Sequence, residues 1–310
     1  MSHSSTQPQD HPVSLKHRLE YAVLRSVVGL LRLMGPDRAS AFMGFAWRHL
    51  APFNARHVRA ENHLALAMPE LDAKARRRLL GDMWENLGRT AAEALLIEEI
   101  IADRSRFEIG DDVAALLRGL GEQSAILCSL HQGNWEVVTW GARLLDRKVA
   151  AVYRRLRNPL SDAYVRQTRL PLYDGGLIEA GGVSPLKLRS MAKAGACVAM
   201  ISDLPDRTGL ILPFMGRPAR LSPLPVFLGR KLGLPVIAAR AVRTKGVRYR
   251  IEASRIDIPK TADAAKDIEA GTAALHGVFE RWILQDPAQW MWAIKKWPRG
   301  GAVPVPDESD

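Results

Sequence analysis

The chain has little cysteine and no long apolar run. Among 310 residues only Cys128 and Cys197 occur. Both lie in apolar stretches, far apart and without metal-ligand spacing, so they read as buried reduced thiols suited to a cytosolic compartment. No uninterrupted apolar stretch reaches the roughly 18–20 residues of a spanning helix, so the expected protein is soluble or rests on a membrane without crossing it. The opening MSHSSTQPQDHP lacks the basic start, apolar centre and small-residue cleavage site of a secretory signal. Aromatic residues make up 6% and no nucleic-acid motif accompanies them. A nucleic-acid-binding reading therefore rests on charge alone. No ligand cluster is present, so no metal is expected.

What the chain has is positive charge. Lys and Arg number 44 against 33 Asp and Glu, a formal net charge of +11. Such a surface attracts nucleic acid, an anionic bilayer, or an acidic partner or substrate. With 47% hydrophobic and 25% charged residues the chain is globular. Residues 15–49 carry helical periodicity: Leu19, Val23, Val27, Leu30 and Met34 share one face, and Arg18, Arg25 and Arg32 line the opposite one. A helix lying in a membrane surface and a helix packed on its own core both fit. Helical patterning continues to about Glu99.

The pattern changes near residue 124. Short apolar runs at 124–130, 149–153, 196–202, 209–214 and 234–242 read as strands, with helices at 135–146, 159–170, 184–194 and 222–232. A hairpin turns at Lys245-Gly246, and a helix from about Ala264 to Gln285 closes the pattern. The expected class is α/β: a mixed, largely parallel sheet flanked by helices, with an N-terminal helical layer. One domain, 15–299, lies between a disordered tail at 1–14 and a C-terminal tail at 300–310.

Chemistry-bearing residues gather where the apolar runs end. In HQGNWE, His131 and Glu136 meet only if His131 sits before a helix; Gly133 supplies a tight turn and Asn134 an N-cap. Glu136 then orients the imidazole, whose other nitrogen takes a proton from a hydroxyl. The alternative is a histidine that merely finishes a strand. In VYRRLRNP, Arg154 directly follows a strand and suits an anion, whereas Arg155 and Arg157 read as a solvated loop. Asp203 ends the next strand, either at the same site edge or capping a turn. Gly216 and Arg217 shape a turn that can present an anion site. Trp282, Trp290, Trp292 and Trp297, interleaved with Lys295, Lys296 and Arg299, fit a membrane interface or a core equally well.

HQGNWE, VYRRLRNP, SD before LILPFMGRP, LGLPVIAAR and WILQDPAQWMWAIKKWP occur in the order seen in lipid A secondary acyltransferases. The chain resembles these lauroyl/myristoyl transferases of the lysophospholipid acyltransferase superfamily from about residue 15 to 299. The resemblance implies a glycerolipid acyltransferase-like fold, with His131 as base and Glu136 as its orienting acid. Tyr153, Arg154 and Asp203 match the family's strand-end substrate positions, while Leu204 and Arg155 stand where a polar residue and a proline are usual. The implied reaction moves an acyl chain from acyl carrier protein to a hydroxyl of a phosphorylated glucosamine lipid, without a cofactor. The implied location is the cytoplasmic face of the bacterial inner membrane, with a peripheral attachment. The alternatives are another phospholipid or glycolipid acceptor, or a non-catalytic basic protein binding membrane or nucleic acid.

Overall fold

The computed structural model describes residues 13–180, 183 and 185–297, and the expected tails fall almost wholly outside them. Helix α1 (Leu15–Met34) begins at a capping box, where the Ser14 hydroxyl accepts from His17 N at 3.2 Å. It ends at Gly35, whose φ of +74° breaks the helix, and Pro36 opens α2 (Pro36–Leu50). Helix α3 (Ala55–Ala67) is capped by Asn54, and the 23-residue α4 (Ala73–Leu95) by Asp72. Helix α2 lies closely along α4: a Cβ at Gly88 would collide with the Met43 carbonyl and Trp47. A short α5 (Ile97–Ala102) ends this helical layer.

Next come β1 (Phe107–Ile109), α6 (Asp111–Arg118), β2 (Ile126–Ser129), α7 (Trp140–Arg143), β3 (Lys148–Tyr153) and α8 (Pro159–Arg169). They are followed by β4 (Gly176–Glu179), α9 (Pro185–Lys193), β5 (Ala196–Ile201), β6 (Leu210–Phe214) and β7 (Arg217–Leu221). The chain closes with α10 (Leu224–Leu232), β8 (Val236–Arg243), β9 (Tyr249–Ile256) and α11 (Ala264–Gln285). The seven-stranded sheet runs β1-β9-β8-β2-β5-β3-β4. From β8 to β4 every pairing is parallel, while β9 runs antiparallel to β8 and β1 follows β9. The sheet is mixed and largely parallel, as expected.

Helices cover both faces. Ile126, Cys128 and Leu130 point into a core shared with Phe279, Ile283 and the tryptophans; Ala125 and Leu127 point into a second one with Leu31, Ile100 and Tyr249. Burial on both sides is why β2 reads as an unbroken apolar run. Trp290 and Trp292 are fully buried, with Trp282 and Trp297 nearly so, which decides for the core reading of that segment.

Two expectations change, and one open reading is narrowed. The helix expected over 135–146 is a chain of turns with only α7 helical. The Asn134 side chain accepts from Glu136 N, and the backbone then closes i→i+3 bonds at Val137 and Trp140. The β-branched Val137-Val138-Thr139 run does little to favour a helix. The 209–214 strand leaves the main sheet and pairs with β7 as a separate hairpin, Pro213 facing Pro218. Finally, α1 presents its apolar stripe outward. Leu19, Val23 and Leu30 are each about three-fifths exposed, whereas Val28 and Leu31 are buried. Arg25 lies over the Tyr164 ring of α8 and Arg32 pairs with Glu99 of α5, so these two arginines reach toward the protein, while Arg18 is exposed. No described helix is long and apolar enough to cross a membrane.

Candidate active site

Strand β2 ends at Ser129 and delivers His131 to the carboxyl edge of the sheet, where open α/β folds bind ligands. The segment after it is held from every side. Gly133 has φ +61°, and a Cβ there would strike the Ala241 carbonyl oxygen, so only glycine fits. Its carbonyl accepts from Asn86 Nδ2 and Thr90 Oγ1, both at 3.0 Å, and its N–H donates to Gln289 O. Asn134 Nδ2 donates to Glu93 at 2.8 Å, and Glu93 is itself fully buried against Arg243 and the Tyr249 hydroxyl. The Met291 N–H donates to His131 O. These bonds fix the backbone that carries the imidazole.

The neighbouring strand β5 delivers the partner. Asp203 Oδ1 faces His131 Nδ1 at 2.8 Å, and Oδ2 accepts from His131 N at 2.8 Å and Trp290 Nε1 at 3.0 Å. Lys296 Nζ donates to the Asp203 carbonyl at 2.8 Å. The Asp203 side chain is fully buried and that of His131 is 14% exposed. Burial alone would raise the Asp203 pKa; the facing imidazole and the hydrogen bonds overcome it and leave the carboxyl at about 2. The site therefore holds an ionised, inaccessible carboxylate beneath an imidazole that retains an opening to solvent.

Glu136, expected on that imidazole, has a different partner. Its Oε1 accepts from Arg169 Nη2 at 2.6 Å, and Nδ1 of His131 is taken by Asp203. The expectation failed because it assumed a helix starting at Asn134, which would have swung Glu136 back. Asp203 also differs from the substrate-contact role expected of it, since its carboxylate is sealed from solvent. Tyr153 lies at the end of β3, its hydroxyl 3.4 Å from Glu179 and its ring beneath Arg166. Arg154 beside it is exposed. Arg217 donates Nε to the Leu66 carbonyl at the end of α3, a tie to the helical layer.

Several contributors were not anticipated. Trp290 and Lys296 were weighed only as interface or core, although both reach Asp203. Asn86, Thr90 and Glu93 carried a usable signal: polar residues at i, i+4 and i+7 beside Met83 and Leu87 on one helix. Buried polar groups at helical spacing need partners, and here the HQGNWE segment and β8 provide them.

No curated protein matches the chain. A family model described as bacterial lipid A biosynthesis acyltransferase matches residues 11–299, nearly the whole sequence. The chain belongs to the bacterial lipid A biosynthesis acyltransferase family, and it is an acyltransferase by that membership.

Proposed function

We propose that the protein moves a fatty acyl chain from the thioester of acyl carrier protein to a hydroxyl of a lipid A precursor, with His131 as general base and Asp203 orienting it. The observation that carries this reading is the double engagement of one carboxylate by His131, through Nδ1 and through the main-chain N, both at 2.8 Å. With Asp203 accepting from Nδ1–H, the basic lone pair lies on Nε2. The acceptor oxygen attacks the thioester carbonyl as its proton passes to Nε2. Collapse of the tetrahedral adduct breaks the C–S bond, and the departing thiolate recovers the proton from the imidazolium. Asp203 remains ionised and steadies that imidazolium.

Substrate contacts follow from position. Exposed Arg154, one residue beyond β3, suits a phosphate of the glycolipid acceptor, and Tyr153 shapes the same edge. Besides the outward apolar face of α1, Phe45 of α2 and Phe53 just beyond it are 63% and 88% exposed. Such a face supports peripheral attachment to the inner membrane, on its cytoplasmic side, helped by the net charge of +11. Asn158, which caps α8 just past Arg154, donates to His17 O and Glu20 of α1, so the apolar face is tied to the site edge.

The test is acyl transfer from acyl carrier protein to purified lipid A precursor, with His131→Ala compared at matched folding. A loss of roughly 10²–10⁴-fold is expected for a general base; near-normal turnover removes the mechanism. Equal rates with acyl-coenzyme A reassign the donor. Lipid analysis after deletion reads the acceptor: a missing secondary chain on lipid A supports it, and unchanged lipid A beside an altered phospholipid or glycolipid moves the activity there.

A further inference from the structure

Lys296 is 2% exposed, and its ammonium is satisfied by one carbonyl, that of Asp203, and by the face of Phe214 at 4.3 Å. Burying a cation on so few partners is expensive, and an apolar side chain of similar volume would fill this core at lower cost. The charge is placed beside one feature of the protein above all, the carboxylate that holds His131. We propose that Lys296 is a positioning residue of the acyl-transfer site: it pins the main chain of Asp203 and places a positive charge beside the carboxylate that holds His131. The inference rests on the His131–Asp203 reading given above.

Among the described residues, three titratable groups act on Lys296 or are acted on by it. From the end of β5 comes anionic Asp203; from α11 come Glu280 and His276. Glu280 is half-buried, its Oε1 accepts from Met215 N, and burial raises its pKa. His276 is held down to about 3, first by burial and then by Lys296, so it stays neutral. Beneath the His131 loop, Arg240 is neutralised by Glu252 and Asp286, and Glu136 by Arg169. Lys296 at the main-chain carbonyl and His131 at the carboxylate therefore engage the same residue, Asp203. Burial lowers the Lys296 pKa to about 8, opposed by Asp203 and Glu280, so the ammonium is held at neutral pH.

The test compares Lys296→Met, Lys296→Gln and Lys296→Arg. The readouts are the pH dependence of kcat/KM and the titration of the His131 imidazole followed by nitrogen-15 NMR in the full-length protein. In the Met and Gln variants the acid limb and the imidazole midpoint move to higher pH by about 0.5–1 unit, and Arg restores both. The Gln variant keeps a donor for the Asp203 carbonyl, so it separates charge from the hydrogen bond. An acid limb and midpoint unchanged in both neutral variants, whatever their kcat, overturn the proposal. Because the imidazole titration is read without turnover, it stands even if His131→Ala shows that another group is the base.

Discussion

Asp203 and Glu136 flank the same short segment as carboxylates, and burial separates them. Asp203 has no solvent contact and three donors on its carboxylate, whereas the Glu136 side chain is 11% exposed and pairs with Arg169. Asp203→Asn removes the charge facing Nδ1 and offers an N–H in its place, which favours the wrong imidazole tautomer. Glu136→Gln breaks a partly exposed ion pair, worth about 1 kcal/mol or less, and should leave transfer within roughly tenfold of wild type. Thermal unfolding checks the same pair, since Glu136→Gln shifts the midpoint only a few degrees. The pH dependence of Asp203 has a definite sign. Its carboxyl sits at about 2 in the folded protein, below the ordinary value near ~3.9, so its stabilisation is complete above that ordinary value and disappears as pH falls toward 2. His131 and Asp203 were legible as strand-end residues because the apolar runs before them were clear. Their contact was not, since it depends on β2 and β5 being neighbours, which no local pattern states.

At the scale of elements, α1 is the test of amphipathic reading. Its periodicity was legible, but periodicity gives two faces and not which one meets the protein. The structure answers with Val28 and Leu31 inward and Leu19, Val23 and Leu30 outward. Replacing Leu19 and Leu30 with Asp should weaken binding to anionic vesicles at least tenfold in a sedimentation assay. The same change should move folding stability by no more than about 0.5 kcal/mol per site, as for exposed positions. Equal vesicle binding would show that this face does not touch lipid. Helix α4 makes the opposite case. Its buried Glu93 pairs with Arg243 at 2.5 Å, and the pair braces Asn134 and so the His131 segment. Glu93→Ala leaves a buried guanidinium uncompensated and should cost about 3–5 kcal/mol in denaturant unfolding. The 135–146 stretch misled because polar capping signals at Asn134 serve a turn as readily as a helix. Strands β1 and β4 escaped notice for a related reason: three or four residues are too few to show a period.

Over the whole molecule, alternation of strands and helices after residue 124 was enough to fix the class, and the chain order of elements followed it closely. The sheet order was beyond it, as was the departure of β6 into its own hairpin, since both depend on pairings distant in sequence. The tryptophans show the same limit. Composition placed them beside cations; only the packing of α11 over the sheet determined that they fill the core. The charge of +11 belongs to this scale, and it predicts vesicle affinity that falls as salt rises, with the apolar α1 face supplying the salt-resistant remainder. Binding that ignores salt would remove the electrostatic part. The central claim is that His131 acts as base because Asp203 holds it. Single-turnover acyl transfer by Asp203→Asn, measured beside Glu136→Gln with both folded, tests it most directly. The account predicts a loss of roughly 10²–10⁴-fold for Asp203→Asn and near-normal transfer for Glu136→Gln; the reverse order would contradict it.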